Sequence, residues 1–374
     1  MNMRNDRSLR TGGVRSAANR LALDYRAEAD RLGPPPVPIF DGHAHINGGE
    51  AAAVWRDACE HFGVRGVLTQ TQLAEAPAVR KTLGDLAQFV AVPEYMSPDR
   101  AHAHRDGYLD NIRRWHGEFG ARMLKFWCAP RGRDMGAEVG VPDLLNLDTP
   151  WRREQMDLAL SLGMRFMAHI ADPDTWFATK YADASVYGSK LDQYEPLGRL
   201  AREYDVDWLI AHMGGWPEDL GFVSSLLDRF PRFVIDTSAT KWMVRELSKH
   251  PRAEFAAFLE KYRGRVIFGS DIVTMDAHLS PGEGPRGMGA AADSPEAAFD
   301  LYASRYWALR TMFETDYEGE SNIADPDLAL VEPERHGPMD APTLRGFRLE
   351  TGLLRELYRG AVQRWYFGGE DPTG

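Results

Sequence analysis

Only two cysteines, Cys59 and Cys128, occur in 374 residues, too few and too far apart for a disulfide framework or a thiolate zinc site. Any metal would therefore be held by nitrogen and oxygen. No run of 18 or more apolar residues is present, which predicts no membrane-spanning helix. The Arg-bearing start of the chain also lacks the apolar stretch of a secretory signal, so a cytoplasmic location is the expectation. Positive charge is in deficit: 44 Lys and Arg against 55 Asp and Glu give a formal net charge of −11, which argues against nucleic acid as a partner. A small-molecule ligand is the expected partner. No solenoid repeat or low-complexity linker breaks the chain, and a hydrophobic fraction of 44% over this length is enough for a sizeable core.

The order of segments predicts the architecture. Residues 1–14 are polar and Arg-rich and read as a loosely docked arm. The stretch 17–32 has the apolar spacing of an amphipathic helix, stopped by Gly33-Pro34-Pro35-Pro36. We take 1–36 as an N-terminal arm and helix and 37–374 as one catalytic domain. Short apolar runs at 37–40, 66–69, 89–92, 123–126, 165–168, 208–211, 233–236 and 266–269 alternate with helical stretches at 49–62, 106–119, 152–162, 196–204, 217–230 and 254–262. Eight such repeats specify an α/β fold, a (β/α)8 TIM barrel. The remaining length lies in the N-terminal helix, a Gly/Pro-rich insertion after strand eight (280–289), helices at 295–313 and 344–367, and an irregular acidic connection at 323–342. The 280–289 loop reads either as a lid or as a solvated surface loop.

Ionisable residues recur at the C-terminal ends of these strands, where barrel active sites are built. Strand one ends Phe40-Asp41-Gly42-His43-Ala44-His45, strand four carries Lys125, strand five ends in His169, strand six in His212, and Asp271 follows strand eight. Histidines at i and i+2 of an extended chain share a face about 6.5 Å apart, close enough to reach one ion. Each residue alone has a structural alternative: His169 as a hydrogen-bonded core histidine, His212 as a strand-end cap, Asp271 as a turn cap, Asp41 as a shaper of the turn. Together, three histidines and a carboxylate suit Zn2+, Mn2+ or Fe2+, with Zn2+ the default for hydrolysis.

The set Asp-Gly-His-Ala-His, Met167-Ala168-His169-Ile170, Ala211-His212-Met213-Gly214-Gly215 and Phe268-Gly269-Ser270-Asp271 resembles the amidohydrolase superfamily. It is most similar to the amidohydrolase-related branch that includes the aminocarboxymuconate-semialdehyde decarboxylases. The resemblance spans about residues 37–275 and extends to the tail, Leu354 to Ala361. There the usual Gly-Asn-Ala is replaced by Gly360-Ala361-Val362. The resemblance implies that His43, His45, His169 and Asp271 bind one divalent metal ion. It further implies that Asp271 acts as general acid/base, and that His212 beside the metal stabilises an oxyanion or takes a proton.

Lys125 has three readings: a carboxylated bridge to a second metal, a neutral amine, or a binder of substrate carboxylate. A mononuclear site is favoured, with a second metal only if Lys125 is carboxylated. Loops after strands four, five and seven carry aromatic and basic residues, of which Arg131 and Trp176 are the candidate substrate contacts, fitting an anionic or cyclic ligand. The expected activity is hydrolysis of a C–N or C–O bond in a small carbonyl compound. The alternative is a lyase, a nonoxidative decarboxylase or hydratase. A homodimer is a further expectation, with Tyr302, Tyr306, Trp307, Trp365, Tyr366 and Phe367 as its interface or, equally, as packing against the barrel.

Overall fold

Strand formation begins where the Pro-rich run ends. In the computed structural model, which describes residues 9–282 and 291–370, Ile39–Ile46 (β1) is followed by Val64–Thr69 (β2), Ala87–Phe89 (β3) and Met123–Trp127 (β4). Arg165–His169 (β5), Trp208–Ile210 (β6), Phe233–Asp236 (β7) and Val266–Ile267 (β8) complete the series. A short ninth strand, Val273–Thr274 (β9), returns to pair with the end of β1. Neighbours pair in parallel as β3-β2-β1-β9 and β4-β5-β6-β7-β8.

Backbone hydrogen bonds at two seams close these sheets into a barrel. At one seam Ala91 N–H donates to Met123 O and Lys125 N–H to Ala91 O, both at 2.8 Å. At the other, Gly42 N–H donates to Phe268 O at 2.8 Å and Asp271 N–H to His43 O at 2.8 Å. The (β/α)8 barrel expected from the alternation of segments is therefore observed. Its outer helices begin with Gly49–Phe62 and end with Pro295–Glu314. Local signals set their ends: Gly63 closes the first of them at φ 76°, and Ser294 caps Ala297 N–H ahead of Pro295 in the last.

The barrel floor is a single apolar layer with one residue from each strand position: Phe40, Leu68, Val90, Met123, Met167, Leu209, Val234 and Ile267, all buried. Beneath it the C-terminal segment inserts Ala361, Val362 and Tyr366, and Phe367 meets Phe40 edge-on at 5.3 Å. Arg122 and Arg165 lie against the same rings. Tyr302, Tyr306 and Trp307 are fully buried within the chain. Tyr302, Tyr306, Trp307 and Tyr366 thus pack back on the barrel, while Trp365 and Phe367 remain partly exposed.

Several boundaries differ from those read off the sequence. The first helix spans only Tyr25–Leu32, because Asp24 caps it and the Asn19 side-chain amide grips both Leu23 N–H and Leu23 O at 2.8 Å, bending 17–23 into a loop. That short helix docks on Pro295–Glu314, with Trp307 Nε1 donating to Glu28 at 2.6 Å. The third strand begins two residues early, at Ala87. The last helical region starts at Thr351; before it, Thr343–Arg345 pairs antiparallel with Glu318–Glu320, since extended β-pairing suits the residues after Pro342. Most of the 280–289 loop lies outside the described residues.

Truncating the floor should be expensive. Phe40→Ala is expected to destabilise by about 3–5 kcal/mol, the range for a buried aromatic that leaves a cavity. Urea unfolding measures it, and a loss below about 1 kcal/mol would contradict the packing described.

Candidate metal centre

Side-chain parity carries the floor residues up into a polar mouth. On β4, Met123 points into the barrel, so Lys125 does too; on β5, Met167 and His169 share the inner face for the same reason. β1 cannot follow this rule from Phe40, because strict alternation would turn His43 and His45 outward. The pairing with β2 shifts register between Asp41 and Ala44, and this irregularity flips the parity. Gly42 sits at the shift, where an added Cβ would stand 2.5 Å from Ile267 Cγ2 and 3.0 Å from Phe268 O. Only glycine lets β1 approach β8 so closely.

His43 and His45 then face Asp271. His43 Nε2 lies 3.4 Å from Asp271 Oδ1 and His45 Nε2 lies 3.2 Å from the same oxygen. Two metal bonds of about 2.0–2.1 Å at a tetrahedral angle put neighbouring donors about 3.3 Å apart, so these residues fit a divalent cation. Asp271 reaches this position through a left-handed backbone, φ 60°, and His212, Met213 and Ala239 are left-handed as well. Such conformations cost about 1–3 kcal/mol each and persist where surrounding bonds enforce them. Here Asp271 N–H donates to His43 O, and His212 N–H donates to Asp236 Oδ1 at 2.9 Å.

Asp236, at the end of β7, is the residue that sequence reasoning missed as a site residue. Its Oδ2 accepts from His43 Nδ1 at 2.8 Å; its Oδ1 accepts from the backbone of His212 and Ser238 and from the Ser238 hydroxyl. The Ser238 oxygen in turn accepts from His212 Nδ1 at 2.7 Å and lies 2.9 Å from His43 Nδ1. Burial opposes charge on Asp236, but the hydrogen bonds it accepts from His43 and Ser238 outweigh it and hold the carboxyl well below its usual range. Burial, with the Lys125 charge, pushes His43 down to about 4, and burial pushes His212 well below its ordinary value. Both rings are therefore neutral, with the proton of His43 on Nδ1 and its lone pair on Nε2, as a ligand requires. Asp271 is likewise kept well below the carboxylate range; burial works against this, and the hydrogen bond with His45 prevails.

His169 is held from its other side. Its Nε2 donates to Asp172 Oδ1 at 2.9 Å, and Tyr181 OH donates to Asp172 Oδ2 at 2.8 Å. That leaves the lone pair of His169 on Nδ1, which faces His212 Nε2 at 3.2 Å. With His212 Nδ1–H given to Ser238, the two facing nitrogens both carry lone pairs, a contact that a proton or a cation relieves. His169 is not part of the tight trio His43, His45 and Asp271, whose ligand atoms all lie within 4.8 Å of one another. A second group at that spacing is His43, His212 and Asp236.

No protein-family model matches the chain, and no curated protein does. Solved structures similar to it include an amidohydrolase of Burkholderia multivorans with bound HEPES, at 12% identity over 88% of this chain and 99% of that one, TM-score 0.43. Another is 5-carboxyvanillate decarboxylase of Novosphingobium aromaticivorans complexed with manganese and 4-hydroxy-3-methoxy-5-nitrobenzoic acid, at 10% identity over 96% and 99%, TM-score 0.43. A third is dihydropyrimidinase of Brevibacillus agri, at 13% identity over 83% and 81%, TM-score 0.38. Likenesses this distant carry no argument about what the chain does.

The eight metal, catalytic and substrate-contact candidates, His43, His45, Lys125, Arg131, His169, Trp176, His212 and Asp271, line one cavity of about 830 Å3 at the barrel mouth. Lys125 is buried, with Nζ 3.4 Å from His43 Nε2, and burial pushes its ammonium down to about 8. Arg131 is exposed at the rim. Trp176 is half-buried and donates its indole N–H to Asp327 at 2.7 Å, which pins this wall to the 323–342 segment. Other loop residues are committed elsewhere: Lys190 pairs with Asp174 at 2.7 Å, and Trp242 donates to Glu218 at 3.2 Å. Asp41 touches no imidazole; it accepts from Ser270 N–H and Oγ, from His43 N–H and from Tyr306 OH, and so shapes the turn.

Asp236→Asn should weaken divalent-metal affinity by about 10–100-fold, the usual loss when the partner of a ligand histidine is altered. Competitive chelator titration measures this, and unchanged affinity would show that Asp236 does not set the His43 lone pair.

Proposed function

We propose that the protein is a metal-dependent hydrolase acting on a C–N or C–O bond of a small cyclic or anionic carbonyl compound. The reading is carried by one observation: His43 Nε2 and His45 Nε2 converge on Asp271 Oδ1 at the floor of a cavity large enough for such a ligand. His43, His45 and Asp271 would hold one divalent cation, Zn2+ by default and Mn2+ or Fe2+ as alternatives. His169 would be the fourth donor through Nδ1, since its Nε2 is occupied by Asp172. The strand-end motifs support assigning the chain to the amidohydrolase superfamily.

A bound cation of this kind polarises a carbonyl and lowers the pKa of water to about 7. The residues of the chain supply the proton transfers. Asp271, charged and at the cavity wall, accepts the proton of the attacking water and returns it to the leaving nitrogen or oxygen. His212, neutral and anchored through Nδ1 to Ser238, presents an unprotonated Nε2 to the cavity, so in this tautomer it has no N–H to give an oxyanion. Lys125 competes with any cation for the His43 lone pair. Its lowered pKa makes the neutral amine accessible near pH 8, the form that could be carboxylated to admit a second metal.

A second reading, nonoxidative decarboxylation or hydration, is supported by the cationic side chains of Lys125 and Arg131 on the same cavity, which suit a substrate carboxylate. Metal analysis followed by a substrate panel separates the two: hydrolysis takes up oxygen from labelled water, and decarboxylation releases carbon dioxide. His43→Ala and Asp271→Ala are each expected to abolish turnover, with metal content falling further in the histidine variant. Full activity in either would remove the site assignment.

A further inference from the structure

Among the described residues, three side-chain amides line the cavity: Asn47, Gln70 and Gln72. Two are engaged. Asn47 Oδ1 accepts from Gln72 N–H at 2.7 Å and its Nδ2 donates to His45 O at 3.4 Å; Gln72 Oε1 accepts from Tyr95 N–H at 3.2 Å. Gln70 differs. It is 1% exposed, and among the described residues neither Nε2 nor Oε1 has a hydrogen-bond partner.

Its position is fixed by the sheet. Gln70 directly follows β2, and its backbone N–H donates to Ala44 O at 2.8 Å, between His43 and His45. The orphaned amide thus stands on the strand next to the two histidines. An unpaired buried donor and acceptor destabilise a fold, and retention of both at a cavity wall points to a ligand that satisfies them together.

We infer that Gln70 is a specificity-determining residue that reads a donor beside an acceptor on the ligand, the cis N–H and C=O edge of a cyclic amide. A primary amide pairs with such an edge through two antiparallel hydrogen bonds. A carboxylate offers acceptors only and leaves Gln70 Oε1 unpaired and facing negative charge. A lactone leaves the same atom without a donor. The inference rests on the proposed hydrolase reading and narrows it, within C–N and C–O substrates, to cyclic amides over carboxylates and esters.

The test uses metal-loaded protein and two probes, δ-valerolactam and N-methyl-δ-valerolactam, which share ring and carbonyl and differ in the N–H. Binding is followed by ligand-observed NMR in the wild type and in Gln70→Met, a substitution of similar volume without polar atoms. The wild type should bind the lactam about tenfold more tightly than its N-methyl derivative, and the ratio should fall to about one in Gln70→Met. Gln70→Met should also melt no lower than the wild type, because it removes unpaired polar atoms from a buried position. Equal binding of the probes by the wild type, binding of neither, an unchanged ratio in the variant, or a Tm several degrees lower would each overturn the inference. Metal content measured on the same samples separates this failure from failure of the hydrolase reading: intact stoichiometric metal with no lactam preference removes the role of Gln70 alone.

Discussion

The carboxylate of Asp236, sealed inside the barrel mouth, is the interaction on which the rest of the centre depends. It gathers four donors from three strand ends: the His43 ring, the His212 backbone, and the backbone and hydroxyl of Ser238. A buried carboxylate with several donors is strongly held in its charged form. That charge fixes the His43 proton on Nδ1, and through Ser238 it fixes the His212 proton as well. The lone pairs facing the cavity follow from this one anchor. Replacing it by a neutral group would release both rings at once, which is why a residue that touches no substrate governs the geometry of those that do.

The two ends of the barrel divide the work. At the floor, eight apolar side chains and a C-terminal plug make a rigid apolar base, and rigidity there keeps the strand ends in register. At the mouth, strand ends adopt left-handed conformations at His212, Met213, Ala239 and Asp271. Strain concentrated above a well-packed floor is the arrangement expected of a preorganised site, since the floor supplies the stability that the mouth gives up.

Much of this was legible in the sequence because strand-end chemistry has a simple code. An apolar run ending in His or Asp, repeated around a barrel, marks the mouth, and His43, His45, Lys125, His169, His212 and Asp271 all line one cavity. The parity of Met123 with Lys125 and of Met167 with His169 is readable in the same way. The β1 register shift is not, since alternation from Phe40 gives the wrong face and only the approach of Ile267 to Gly42 explains the flip. Asp236 escaped notice as a site residue because it reads simply as the last residue of the strand at 233–236. The commitment of His169 to Asp172 depends on a loop contact that no periodicity encodes. The shortened first helix turned on a single asparagine, Asn19, whose side chain competes with the backbone.

The central claim is that donors scattered from β1 to the loop after β8 share one cation. Anomalous diffraction from crystals grown with Zn2+ or Mn2+, collected at the metal edge, tests it most directly. The account predicts one strong peak within about 2.0–2.2 Å of His43 Nε2, His45 Nε2 and Asp271 Oδ1. A peak elsewhere, or none at that point in fully loaded protein, would contradict it.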